Sequence, residues 1–142
     1  MNIDSIFQEN NLSEARILSA SDKIEIPEMW SFLLTEEDKD KKKSLVIERW
    51  SDFSSLLPKT LHLLEELLDD VFLVGHQQQI KMVYLLLVDE EYVLYVGNMP
   101  TTDSQLAILP DKLQHFYKHL HNGWFENISG GLGLLPIEKV RF

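Results

Sequence analysis

The fold is decided by Ile80-Lys81-Met82-Val83-Tyr84-Leu85-Leu86-Leu87-Val88, Asp89-Glu90-Glu91 and Tyr92-Val93-Leu94-Tyr95-Val96-Gly97. The outer segments are rich in β-branched and aromatic residues. The three acids between them make a short polar turn, so the reading is a β-hairpin. Side chains alternate along a strand, which sends Ile80, Met82, Tyr84, Leu86 and Val88 one way and Val83, Leu85 and Leu87 the other. Only Lys81 breaks the second apolar row. Both faces of this strand therefore need cover, and a central strand packed by helices is the economical solution.

Working outward, the strongest helix is expected downstream of Ile108-Leu109-Pro110. Leu113, Phe116, Tyr117 and Leu120 recur at helical spacing, with Asp111 at the positive end and Lys118 and His119 at the negative end. Asn122-Gly123 is read as its stop, with Gly123 in the left-handed conformation. Upstream of the hairpin, Pro58 opens a helix running through Leu61, Leu64, Leu67, Leu68, Val71 and Phe72, with Glu65, Glu66, Asp69 and Asp70 on its outer face. Ser44–Trp50 reads as a short β-like run and residues 36–43, rich in Lys, Asp and Glu, as a solvated loop. Further upstream, the sequence predicts a short helix over Leu12–Leu18, an extended piece over Lys23–Ile26, and a helical turn opened by Pro27 that carries Trp30, Phe32, Leu33 and Leu34. Together these elements predict one α+β domain over residues 1–142: an antiparallel or mixed sheet with a central hairpin packed by several helices.

Composition narrows the function classes. The 142 residues carry 13 Lys and Arg against 23 Asp and Glu, a net charge of −10, which repels phosphate backbones and anionic lipids. Nucleic acid and membrane are thus not expected as partners, whereas a basic protein is. The absence of cysteine removes disulfides, thiolate metal sites and cysteine nucleophiles. The start, Met1-Asn2-Ile3-Asp4-Ser5, has neither the basic nor the apolar region of a secretory signal, and the longest apolar run, Met82–Val88, is too short to span a bilayer, so a cytoplasmic location is expected.

Candidate chemistry is sparse. His115, His119 and His121 include a His-x-x-x-His pair at metal-ligand spacing, but Phe116 stands where a zincin-type enzyme has its Glu. Histidines on a polar helix face explain the same letters. His62 and His76 have no assignable partner. Ser129-Gly130-Gly131-Leu132-Gly133 lacks the Lys-Ser or Lys-Thr of a phosphate loop and reads as a tight turn feeding a short buried strand. Trp30 and Trp50 read as core. Trp124, placed by this reading in a polar, glycine-rich loop, reads either as a core residue or as a partly exposed anchor for a partner.

The segment Leu109–Val140 resembles the signature of the SUKH superfamily. The resemblance is carried by Leu109-Pro110, Phe116-Tyr117, Asn122-Gly123-Trp124 and Leu134-Leu135-Pro136-Ile137-Glu138. A second anchor, Ile26-Pro27 with Trp30 and Phe32-Leu33-Leu34, lacks the Asn-Gly stop. The resemblance implies an α+β binding module, with no catalytic residues, cofactor or metal. Many bacterial members are immunity proteins that neutralise a cognate toxin, and others make regulatory contacts. In the family the motif usually stands early, with strands after it; here the sheet has to come largely from upstream. A stoichiometric immunity protein for a cationic toxin is the expected function. Its contact residues would be Asn122, Gly123, Trp124, Phe125 and Glu126, with Glu90 and Glu91 as weaker candidates. The alternatives are a housekeeping regulatory or scaffold domain and a metal-dependent hydrolase using His115 and His119.

Overall fold

In the computed structural model, which describes residues 2–126 and 133–140, the alternation at Ile80–Val88 is the third strand of a six-stranded antiparallel sheet. The strands are β1 (Arg16–Ile17), β2 (Leu68–His76), β3 (Gln79–Val88), β4 (Glu91–Asn98), β5 (Asn122–Glu126) and β6 (Gly133–Leu134), and they lie side by side in chain order. The fold is α+β, and the expected hairpin is β3–β4. Its turn is the two residues Asp89-Glu90, at φ 49° and 68°, closed by the pair Val88 and Glu91. Two positive φ values in a two-residue loop match the right-handed twist of the flanking strands. The β2–β3 connection repeats the device with Gln77-Gln78 at φ 51° and 65°.

Both faces of β3 are covered along most of its length, as its double apolar row requires, with Leu87 left exposed near the tip. Met82, Tyr84 and Leu86 meet Trp30, Trp50, Phe116 and Trp124 in the larger core. Val83 and Leu85 meet Ile6, Phe7 and Leu12 in the second. Ile6 and Phe7 belong to α1 (Ile3–Glu9), a helix not anticipated from the sequence, whose Asn2 side chain accepts from the Ser5 amide at 3.2 Å. Lys81 is half-buried on the second face, and burial, followed by the charge of Lys139, lowers its pKa.

Helices α2 (Phe32–Thr35), α3 (Lys39–Ser51), α4 (Pro58–Leu67) and α5 (Asp111–His119) supply the rest. The turn opened by Pro27 forms over Glu28–Trp30, and the Trp30 indole N–H donates to the Leu120 carbonyl at 2.8 Å. Trp30 and Trp50 are both core residues.

Four local expectations are corrected. Leu12–Leu18 is not helical: Asn11 and Glu14 take positive φ, Arg16 and Ile17 pair with Gly75 and Val74, and the Leu18 amide donates to Leu73 at 2.9 Å. Residues 36–43 are not all loop, because the Asp38 carboxylate accepts from the Asp40 and Lys41 amides at 2.9 and 3.2 Å and starts α3 at Lys39. Ser44–Trp50 is consequently helix, with Val46 and Trp50 buried one turn apart. The Pro58 helix ends at Leu67, so Asp69, Asp70, Val71 and Phe72 belong to β2.

Candidate functional site

The Asn-Gly segment chosen from the sequence as a contact loop is an internal clamp. α5 ends at His119, and Asn122–Glu126 pairs with β4 as strand β5. The Asn122 side-chain oxygen accepts from the Ile137 amide at 2.8 Å, and its amide group donates to the Glu138 carboxylate at 2.9 Å. The Tyr117 hydroxyl donates to the Leu135 carbonyl at 2.6 Å, and burial, aided by the charge of Glu138, pushes its pKa up to about 12. Gly123 has φ 82°, and a β-carbon there would lie 2.7 Å from the Pro136 nitrogen. Gly123 is thus left-handed, as expected, but serves close backbone approach and not a helix stop. These contacts bind residues 134–138 to the α5–β5 corner.

Behind the clamp lies a buried polar chain. His121 Nδ1 is 2.7 Å from the Gly123 carbonyl, which cannot donate, so Nδ1 carries the proton. Nε2 then accepts from the Tyr84 hydroxyl at 2.8 Å, and that oxygen accepts from the Trp50 indole N–H at 3.0 Å. Complete satisfaction of these groups is what makes their burial tolerable. Burial lowers the His121 pKa to about 3 and raises that of Tyr84. With His121 fully enclosed, only His115 and His119 of the three clustered histidines face solvent.

Four of the seven sequence-selected contact residues are therefore unavailable as an exposed surface. Asn122, Gly123, Trp124 and Phe125 are buried, because β5 is covered on both faces. Trp124, only 5% exposed, stacks on Tyr95 with ring centroids 4.1 Å apart. Glu126 is half-buried opposite Tyr95, whose pKa is raised by burial first and the Glu126 charge second. Of the Gly-rich stretch, Ser129–Leu132 lies outside the described residues, and Gly133 opens β6.

Glu90 and Glu91, in contrast, stand exposed at the β3–β4 tip beside Asp89. Among the described residues no ion pair engages these three carboxylates. The nearby start of β2 behaves differently: Asp69 pairs with Lys39 at 3.2 Å and Asp70 with Lys42 at 3.0 Å. Leu87, 38% exposed, faces Tyr92 across the hairpin, and the Tyr92 hydroxyl donates to Asp69 at 3.3 Å. Sequence reasoning missed this grouping because it placed Asp69 and Asp70 on a helix. The alternation along β3 nevertheless marked Leu87 as a residue needing cover.

On the outer face of α5 the His115 and His119 rings lie 4.3 Å apart, and His62 pairs with Glu66 at 3.0 Å on α4, a partner the sequence did not reveal. His76 lines an open groove with Arg16 and Gln77–Gln79. Among the described residues no group of three or more His, Asp or Glu side chains is placed to hold a metal ion, and no helix is long and apolar enough to cross a membrane. Comparison of the chain with protein-family models, with curated proteins and with solved structures finds no match.

Proposed function

We propose that the chain is a cytoplasmic, non-catalytic, SUKH-like immunity protein that binds a cationic toxin domain stoichiometrically. The reading rests on the resemblance of Leu109–Val140 and on the net charge of −10. The observation that carries it to a surface is the β3–β4 tip, where Asp89, Glu90 and Glu91 are exposed with no ion pair among the described residues, while Leu87 offers exposed apolar area and the half-buried Tyr92 borders it. Unpaired carboxylates steer a basic partner and occupy the places its phosphate ligands would take. An adjacent aromatic and aliphatic pair supplies the area that holds it.

Co-expression with a toxin encoded beside this gene tests the reading. The expected result is rescued growth and a one-to-one complex, both weakened by Glu90→Lys with Glu91→Lys. Failure of the unaltered chain to rescue growth or co-purify overturns the immunity assignment. Rescue that survives both charge reversals removes the hairpin tip from the interface.

A further inference from the structure

We propose that His115 and His119 form an exchangeable chelate for a borderline divalent transition ion such as Zn²⁺, Ni²⁺ or Cu²⁺. The two residues are one helical turn apart on α5, both are exposed, and their rings lie 4.3 Å apart with planes inclined by 41°. That places the two imidazoles next to one another, and neither ring is held in a hydrogen bond or ion pair among the described residues. Imidazole is a favoured ligand for these ions, and His-x-x-x-His on a helix presents both rings to one ion.

The surroundings favour this pair over an arbitrary pair of surface histidines. His115 is backed by the Phe53 ring, with centroids 5.5 Å apart, which limits its rotamer freedom and keeps water from one side. Asp52, just past the end of α3, lines the same small cavity and brings a negative charge to it. Arg49 lines it as well and opposes binding, although its guanidinium is drawn over the Phe32 ring, 5.9 Å from the centroid. Lys118, exposed between the two histidines in sequence, adds a second positive charge nearby. Two protein ligands leave the remaining coordination positions to water or to a group from outside the chain. The arrangement is thus a docking point for metal and not a closed structural centre.

Calorimetric titration of the full chain with Zn²⁺, Ni²⁺ and Mg²⁺ salts tests this, together with Cu²⁺ broadening of the histidine ring resonances. One Zn²⁺ or Ni²⁺ per chain is expected, and no Mg²⁺. His115→Ala and His119→Ala should each weaken binding about tenfold or more, because losing one of two linked ligands forfeits the chelate advantage. Arg49→Gln should tighten it, and His62→Ala should leave it unchanged. Cu²⁺ should broaden the rings of His115 and His119 before those of His62 and His76. No binding, unchanged affinity in both alanine variants, or an equal loss in His62→Ala would overturn the proposal.

Discussion

Gly97 lies directly against the imidazole of His121: a β-carbon at position 97 would overlap Cγ of the ring and stand 2.6 Å from Cδ2 and Nδ1. The ring cannot yield, because both its nitrogens are engaged and Trp50, Phe116 and Tyr84 surround it edge-on. Gly97→Ala should therefore cost about 3 kcal/mol, as overpacking of a rigid core does. Urea unfolding monitored by tryptophan fluorescence measures it, and a loss within experimental error would show that the His121 ring has room to move.

Acid should destabilise the fold through the same histidine. The unfolded chain takes up a proton as pH falls through 6.5, whereas folded His121 stays neutral until about pH 3. Its contribution is therefore complete above pH 6.5 and is lost progressively as pH falls toward 3, at about 1.4 kcal/mol per pH unit in that window. Unfolding free energies between pH 7 and pH 4.5 should fall less steeply in His121→Gln than in the unaltered chain. Equal slopes would assign the acid sensitivity to carboxylates.

Glu90 holds a positive φ at the hairpin tip, a conformation that glycine adopts freely and a residue with a β-carbon does not. Glu90→Gly should raise stability by about 1 kcal/mol and at the same time slow association with a basic partner. Thermal unfolding and stopped-flow mixing measure the two effects on one variant. A fall in stability would mean that the Glu90 side chain supports the turn.

Asn122→Ala should loosen residues 134–138 by removing two hydrogen bonds and leaving the Ile137 amide without its acceptor, at a cost of about 2 kcal/mol. Hydrogen exchange at Ile137 should accelerate while the amides of β3 keep their protection. Acceleration throughout the sheet would mean that the clamp and the sheet unfold as one unit.

Much of the fold was legible wherever one signal governed a segment. Ile80–Val88 and Tyr92–Gly97 are near-continuous apolar runs rich in β-formers on either side of a polar turn, and Leu113–Leu120 repeats at helical spacing, so β3, β4 and α5 could be placed from residue type alone. Ser44–Trp50 misled because the β-branched Val46 and Ile47 favour strands individually; the deciding influence was the Asp38 cap, which sets the helix running before those residues arrive. The Leu67–Leu68 change from helix to strand carries no glycine or proline, so nothing local marks it. The motif at Asn122-Gly123 was correctly singled out as special, but its special requirement is an approaching backbone from the same chain. A sequence cannot distinguish a residue shaped to receive its own chain from one shaped to receive another. Placing Asp69 and Asp70 on the Pro58 helix hid their pairing with Lys39 and Lys42 for a similar reason, since those lysines come from α3.

The side-by-side order of the six strands also sets a timetable. During synthesis each new strand finds its hydrogen-bonding neighbour already made, so the sheet can grow from one edge to the other without waiting for a distant segment. The cover of the larger core does not share that convenience. Trp30 must wait for Leu120, ninety residues later, to satisfy its indole. Until α5 leaves the ribosome, strands β1–β4 carry only the part of that cover supplied by α2, α3 and α4, without Phe116 and Leu120, and that interval is when the larger core is most exposed to aggregation and to chaperones.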